Sequence, residues 1–538
     1  MSTYDYPLLL KNILAAPLTD RPEAEIVYRN KRYTYVQFRE RVARLARALR
    51  EIGIHEGDTV GVLDWDSNRY LECYFAVPLI GAVLHTVNVR LPAEQLAYTI
   101  DHAADSVLLV HSDFLPLLAA IRERLRTVKR FVLLSDDGSE VSTPLEIDGE
   151  YEELLADATP VEEYPDFDEN TRATLFYTTG TTGLPKGVFY SHRQLVLMVL
   201  ATSAAFGAYP AATNFHSEDV YMPITPMFHV HAWAVPYIAT FFGVKQVYPG
   251  RYVVPNLLEL IEREKVTFSH CVPTLLAMLL NDPASGAVDL SRWKVAIGGA
   301  ALPKALCAQA MDRGVDVFAG YGMSETGPDI AFVHLTRADL QKTREEQVEM
   351  RVRIGVPIGL VQMKVVTPEG REQPWDDHSS GEILLRAPWL TKGYHKDEDS
   401  SKKLWEDGWL HTQDVAVRNP AGSFRITDRL KDVIKVGGEW ISSLELEDIL
   451  ANHPAVGEIA VVGLPDKKWG EIPTAVVVPK SGADVRPRSL IDLVKSFVDK
   501  GTIPRQAILL KVVFTDSIPK TSVGKVDKKA LRAAHAKG

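Results

Sequence analysis

One run of eleven residues constrains this chain more than any other: Tyr177-Thr178-Thr179-Gly180-Thr181-Thr182-Gly183-Leu184-Pro185-Lys186-Gly187. It joins four threonine hydroxyls, three glycines and one ammonium. Glycine lets a backbone approach a ligand closely. Hydroxyls, exposed N–H groups and a lysine suit a phosphate chain. From Gly180 the spacing is G-x-x-G-x-x-K-G, which is neither G-x-x-x-x-G-K-[ST] nor G-x-G-x-x-G. Gly187 stands where the first of those patterns requires a magnesium-binding hydroxyl, which argues against a kinase or GTPase loop. Residues 173–177 and 188–190 read as strands flanking the loop. An ordinary polar hairpin does not explain Lys186 after Pro185 beside four hydroxyls, and the run reads as a phosphate grip.

The rest of the chain supplies a frame for that loop. Residues 34–54 have helical spacing, with Phe38, Val42, Leu45, Ala46, Leu49 and Ile52 on one face. Short apolar strands read at 60–63, 83–87, 107–110 and 131–134, with helical patterns between them, and the alternation resumes after residue 217. Such alternation predicts parallel sheets with helices on both faces. Residues 136–170 are acidic and turn-rich and read as a solvated connection. Residues 351–428 read as a small β subdomain. Beyond 428 the character changes to helices at 443–452 and 487–500, several strands and a Lys-rich tail. The expected fold is α/β: a large N-terminal domain, residues 1–428, of two doubly wound α/β subdomains plus a small β-barrel subdomain. A small mobile α+β C-terminal domain, 429–538, follows.

Composition narrows the function classes. The chain has 538 residues, 46% apolar and 24% charged, a net charge of −10 and a pI near 5.9. The acidic balance argues against a nucleic-acid partner, whereas a local basic pocket still accommodates an anionic small molecule. Cys73, Cys271 and Cys307 are far apart in apolar company and read as reduced core residues. No segment reaches the ~18 unbroken apolar residues of a membrane span, and the first residues lack a basic-then-apolar leader. A cytoplasmic enzyme is the expectation.

Five further constellations stand beside simpler readings. Ala319-Gly320-Tyr321-Gly322-Met323-Ser324-Glu325-Thr326 follows a strand, where ligands bind in α/β sheets. There Tyr321 can stack on a base and Glu325 can hold Mg²⁺, or the segment is a glycine turn. Gly298-Gly299-Ala300 permits close approach to a planar ring, or is a tight turn. His229 and His231 in Pro226–Trp233 lack a zinc-site partner and read as pocket lining or as structural histidines. Asp414, ending His411-Thr412-Gln413-Asp414, can accept both hydroxyls of a ribose. Arg429, Lys431 and Lys435 alternate along one strand face. Lys525, in Pro519-Lys520-Thr521-Ser522-Val523-Gly524-Lys525, reads locally as part of a basic tail.

In this order and spacing the segments resemble the acyl-adenylate-forming superfamily, from about residue 25 to 530, and within it bacterial medium- and long-chain fatty acyl-CoA synthetases. The branch is suggested by 190–195, 226–233 and 434–443. The resemblance implies an ATP-dependent ligase. A carboxylate joins the α-phosphate of ATP to give acyl-AMP and pyrophosphate, and the CoA thiol then displaces AMP. It implies that Thr178, Thr179, Gly180, Thr181, Thr182, Gly183 and Lys186 grip phosphates, and that Thr181 and Glu325 meet Mg²⁺. Gly298, Gly299, Ala300 and Gly320, Tyr321, Gly322, Met323 and Ser324 border the nucleotide. Asp414 holds the ribose near Arg429. Lys525 reaches the carboxylate and α-phosphate, and Lys431 sits at a hinge. After rotation of the small domain, Lys435, Gly437 and Gly438 approach the CoA channel with Trp440 beside it, and His229 lies near the thioester centre. Gln413 departs from the glycine usual in relatives.

The acid is read from the same residues. His229 and His231, in place of a family aspartate, disfavour amino acids. Gly322, where acetate-specific relatives carry tryptophan, leaves room for a longer acyl chain, with Trp233 as cap or gate. A medium- to long-chain fatty acid is expected. The alternatives are an aryl or short thioether acid, or a non-catalytic nucleotide- or acyl-binding relative. Apolar Leu8, Leu9, Leu10 and Leu14 in an unassigned arm suggest a homodimer.

Overall fold

A computed structural model describes residues 6–138, 141–178, 184–437, 439–521 and 524–536. Four sheets organise them. One has seven strands, in the order 149–150, 130–134, 105–111, 59–63, 83–86, 172–178, 186–191. It is parallel except for its last pair, in which Arg172–Thr178 and Lys186–Ser191 run antiparallel with Thr178 opposite Lys186. The two strands that flank the phosphate loop in sequence thus pair at the sheet's edge.

A second sheet of nine strands carries the other site segments: Phe268–Cys271, Lys294–Ile297, Asp316–Met323 and Gly327–Phe332 lie side by side. Its far edge is the hairpin Glu25–Tyr28/Lys31–Thr34, which pairs with Lys245–Tyr248. The chain thus starts in the second sheet, crosses to the first and returns, an order that local periodicity does not encode. Residues 362–429 form a five-stranded antiparallel sheet. One buried apolar core, from Leu10 to Phe424, joins these three sheets. The fourth sheet, within 434–514, packs helices Ser443–Ala451 and Pro487–Asp499 around separate cores.

Local chemistry accounts for the elements. The helix Tyr35–Glu51 begins in a capping box of Thr34 and Gln37 and buries Phe38, Val42, Leu45 and Leu49. The acidic stretch is more ordered than its composition suggests, since it holds the helix Tyr151–Asp157. Tyr151 is buried and donates to Glu72 Oε2 at 2.6 Å, while Glu152 pairs with Arg41 and Lys31. Part of its charge is paired, at Asp136, Asp148, Glu152, Asp166 and Glu169, while Glu153, Asp157, Glu162 and Glu163 are exposed. The three cysteines are buried and free. Leu9, Leu10, Ile13 and Leu14 are also buried within the chain's own core, and Leu8 N donates to Glu169 Oε2 at 2.7 Å. The arm is thus docked on its own chain and needs no second copy to cover these leucines. No helix among the described residues is long and apolar enough to cross a membrane.

Candidate active site

A cavity of about 1860 Å³ opens where the carboxyl ends of the nine-stranded sheet face the C-terminal residues. Strand ends place its polar groups. Asp316–Met323 delivers Tyr321, which donates its hydroxyl to Asp414 Oδ2 at 2.8 Å. Asp414 Oδ1 meets Arg429 Nε at 3.0 Å, because Asp414 and Arg429 pair directly across two antiparallel strands. Glu325 is buried and accepts from the Tyr394 hydroxyl at 2.6 Å, and burial raises its carboxyl above the usual range. The Lys186 ammonium lies 4.7 Å from the centre of the same Tyr394 ring. Tyr394 thus ties the phosphate-loop lysine to the acidic residue. Sequence reading missed it, and a lone Gly-Tyr pair at 393–394 offers no periodic signal.

Lys525 enters from the C-terminal side. Its Cε lies 2.9 Å, and its Nζ 3.5 Å, from where a Cβ on Gly299 would stand. Gly299 also has φ +75°. Glycine is required here twice, for backbone conformation and for the close passage of the lysine. A turn holds the lysine in place: Thr521 N donates to Lys525 O at 2.7 Å, and the Thr274 hydroxyl donates to Gly524 O at 3.3 Å. Burial, reinforced by Arg429, lowers the ammonium's pKa to about 8, while Asp414 and Glu325 oppose that shift.

The wall beyond Lys525 comes from Pro226–Trp233. Asp66 Oδ1 accepts from Met227 N at 3.0 Å, the Tyr74 hydroxyl donates to Met227 O at 2.5 Å and Thr86 Oγ1 donates to Phe228 O at 3.0 Å. Five consecutive residues follow in the left-handed region: Val230, His231, Ala232, Trp233 and Ala234, with φ between +46° and +56°. Each non-glycine residue there costs roughly 1–2 kcal/mol, and such strain persists only where surrounding packing imposes it. The turn sends Trp233 against Gly298, whose Cβ would stand 3.0 Å from the indole, and onto the His270 ring at 5.0 Å. His229 lines the cavity, and burial, then Lys525 and Arg90, lower it to about 3. His231 instead packs among Tyr74, Phe176 and Tyr237. The two histidines therefore separate into one lining and one core residue.

Of the residues singled out in the sequence, Thr178, His229, Trp233, Gly298, Gly299, Ala300, Gly320, Tyr321, Gly322, Met323, Ser324, Glu325, Asp414, Arg429, Lys431 and Lys525 all line this cavity. Gly322 has a second reason to be glycine: a Cβ there would fall 2.0 Å from Pro328 O. Close strand pairing requires it, quite apart from room for an acyl chain. Lys435, Gly437 and Trp440 lie elsewhere, on the strands Ile434–Val436 and Glu439–Ile441 and their turn, with the Lys435 ammonium 5.5 Å over the Trp440 ring. Thr179, Gly180, Thr181, Thr182, Gly183 and Gly438 lie outside the described residues.

Gln413 resolves its own oddity. Its φ is +59°, its N donates to Glu382 Oε1 at 2.9 Å and its O accepts from Leu430 N at 2.9 Å. The position demands a glycine-like backbone, and glutamine occupies it without moving Asp414 from its partners.

Comparison with known proteins agrees with this geometry. The sequence profile of the family described as AMP-binding enzyme matches residues 15–395, and that of the AMP-binding enzyme C-terminal domain matches 445–525. A long-chain-fatty-acid–CoA ligase of Thermus thermophilus is 42% identical, the match covering 93% of this chain and 90% of the relative. A 3-methylmercaptopropionyl-CoA ligase of Ruegeria lacuscaerulensis is 40% identical (91% and 89% covered), and a medium-chain-fatty-acid–CoA ligase of Ectopseudomonas oleovorans is 36% identical (91% and 88%). Among solved structures, the anthranilate CoA ligase AuaEII in complex with anthranoyl-AMP superposes with a TM-score of 0.86 at 25% identity, covering 100% and 99% of the two chains.

Proposed function

The chain belongs to the AMP-binding enzyme family, and we propose that it is an ATP-dependent acyl-CoA ligase for a medium- to long-chain fatty acid. One observation carries the reading: Lys525 packs against Gly299, in a cavity that also holds Tyr321, Glu325, Asp414 and Arg429 and continues past Trp233. In the first step a carboxylate oxygen attacks the α-phosphorus of ATP, the bond to the bridging oxygen breaks and pyrophosphate leaves. Negative charge grows at that phosphorus, and the ammonium of Lys525 is placed to stabilise it. Asp414 and Arg429 hold the ribose side, Tyr321 with Gly298 to Ala300 borders the adenine, and Lys186 with residues 178–183 grips the phosphates.

Among the described residues no cluster of three or more His, Cys, Asp and Glu side chains is placed to hold a metal by itself. The buried carboxylate of Glu325 suits Mg²⁺, which takes one or two carboxylates and completes its shell with substrate phosphates. Glu325, with Thr181 by family resemblance, would hold the ion, which supplies charge neutralisation on the phosphates.

In the second step the CoA sulfur attacks the acyl carbonyl, AMP leaves and the thiol proton passes to solvent. We assign residues 429–538 to a domain that rotates about Lys431 between the steps, withdrawing Lys525 and bringing Lys435, Gly437, Gly438 and Trp440 to the opening. Such exchange needs only that each ligand favour one state. A cytoplasmic site of action and a homodimer are part of the proposal, the latter tested by sedimentation.

A second reading, a short thioether acid, is favoured by the Ruegeria relative. The deciding experiment measures pyrophosphate release with ATP, Mg²⁺ and acids from acetate to octadecanoate plus aryl and thioether acids, with and without CoA. Release that peaks at a fatty chain and is lost in Lys525→Ala supports the proposal. A peak at a thioether acid replaces the substrate, and ATP binding with no release from any acid leaves only a binding protein.

A further inference from the structure

The cavity beyond Trp233 is not uniformly apolar. Phe206, Phe268, Ala296 and Phe332 line it together with Asp329 and His270. Asp329 belongs to the strand Gly327–Phe332, which lies close against Asp316–Met323 at Gly322. It is 3% exposed, and its Oδ2 has no hydrogen-bond partner. The buried hydroxyl of Thr202 lies within hydrogen-bonding reach of the same carboxyl and opposes part of the effect of burial. His270 is fully buried: its Nε2 meets the Tyr221 hydroxyl at 2.8 Å, while its Nδ1 is unpartnered. Burial raises the Asp329 carboxyl well above the usual range and lowers His270 to about 3. Both line the cavity, and burial disfavours the charged form of each.

A buried polar group without a partner costs about 1–3 kcal/mol. Two such atoms, Asp329 Oδ2 and His270 Nδ1, on one otherwise aromatic wall are an expensive lining for a plain alkyl chain, which pairs with neither. A chain carrying a hydroxyl can donate to an Asp329 carboxyl oxygen or pair with His270 Nδ1. Sites built to hydrogen-bond a substrate hydroxyl reject the analogue lacking it far more strongly than apolar pockets reject a missing methylene.

We propose that the acyl pocket selects a hydroxyl-bearing acid, with the substituent held by Asp329 and His270 beyond Trp233. This rests on the ligase reading and names the substrate class of the same site. It makes Asp329 a specificity residue with no part in the chemical steps.

The test compares kcat/KM for CoA-thioester formation from an alkanoic acid and from its counterparts with the hydroxyl moved along the chain. The wild-type protein, Asp329→Val and Asp329→Asn are each assayed. The wild type is expected to prefer one hydroxylated isomer by about 10- to 100-fold, the factor that one satisfied buried group supplies. Asp329→Val should reverse the order by improving the plain acid and weakening the hydroxylated one, and Asp329→Asn should keep part of the preference. Equal use of plain and hydroxylated acids at every position, unchanged in Asp329→Val, overturns the inference and means that water satisfies these groups. Absence of thioester from any acid overturns the ligase reading itself, and this inference with it.

Discussion

Gln413 offers a test in which the ordinary ranking of two substitutions should reverse. Its side chain is exposed, so truncation loses little packing. Its backbone is held at φ +59° by the bonds to Glu382 and Leu430, neither of which needs the side chain. Any residue with a Cβ suffers about 1–2 kcal/mol of strain there. Gln413→Ala keeps that strain. Gln413→Gly removes it, offset by about 0.5–1 kcal/mol from glycine's larger freedom in the unfolded chain. The difference leaves Gly more stable than Ala by roughly 0.5–1 kcal/mol. Lys402, exposed in the helix Glu398–Leu404 of the same region, serves as control, since there Gly should be less stable than Ala by about 1 kcal/mol. Guanidinium unfolding followed by tryptophan fluorescence measures both pairs. If Ala outranks Gly at 413 as it does at 402, the left-handed assignment is wrong and the glycine of relatives has some other cause. Because Asp414 keeps its bonds to Tyr321 and Arg429, Gln413→Gly should leave KM for ATP unchanged.

Other expectations follow from the same geometry. Lys525→Ala should lower acyl-AMP formation by about 100- to 1000-fold, the loss typical of one preorganised charge donor, and should spare thioester formation from supplied acyl-AMP. Gly299→Ala puts a methyl group 2.9 Å from Lys525 Cε at φ +75°. It should reproduce that adenylation defect with Lys525 still present, and wild-type rates from Gly299→Ala would contradict the docked lysine. For pH, the charged ammonium is the useful form and burial lowers its pKa to about 8. Adenylation kcat/KM should therefore fall as pH rises through about 8, whereas docking of the lysine, opposed while it is charged, should ease over the same rise. Lys525→Arg, charged at every accessible pH, should move the alkaline limb of whatever activity remains upward. Tyr394→Phe removes the hydroxyl on Glu325 but keeps the ring under Lys186. It should raise the Mg²⁺ concentration needed for half-maximal pyrophosphate release more than it raises KM for the acid.

What the sequence made legible, and what it hid, divides along physical lines. Strands at 60–63 and 131–134 and the start of the helix at Tyr35 are written in local periodicity, and the structure has them within one residue. The return of the hairpin 25–34 to the second sheet was hidden, because strand partners far apart in sequence leave no local trace. The groups in and around the cavity fall the same way. Glycine-rich and charged segments at strand ends announce themselves, whereas Tyr394, Asp66 and Asp329 are single residues whose meaning comes from what surrounds them. The left-handed turn at 230–234 was illegible for a stronger reason. Val, Ala and Trp are residues that avoid that conformation, so composition argued against it. Packing of Trp233 on Gly298 and His270, and the bonds holding Met227 and Phe228, outweigh a local preference of several kcal/mol. Where tertiary contacts override local preference so completely, replacement by glycine should stabilise: Ala232→Gly and Ala234→Gly each remove a strained Cβ. If both instead lower stability as glycine does in a helix, the turn is not left-handed and the route past Trp233 must be drawn again.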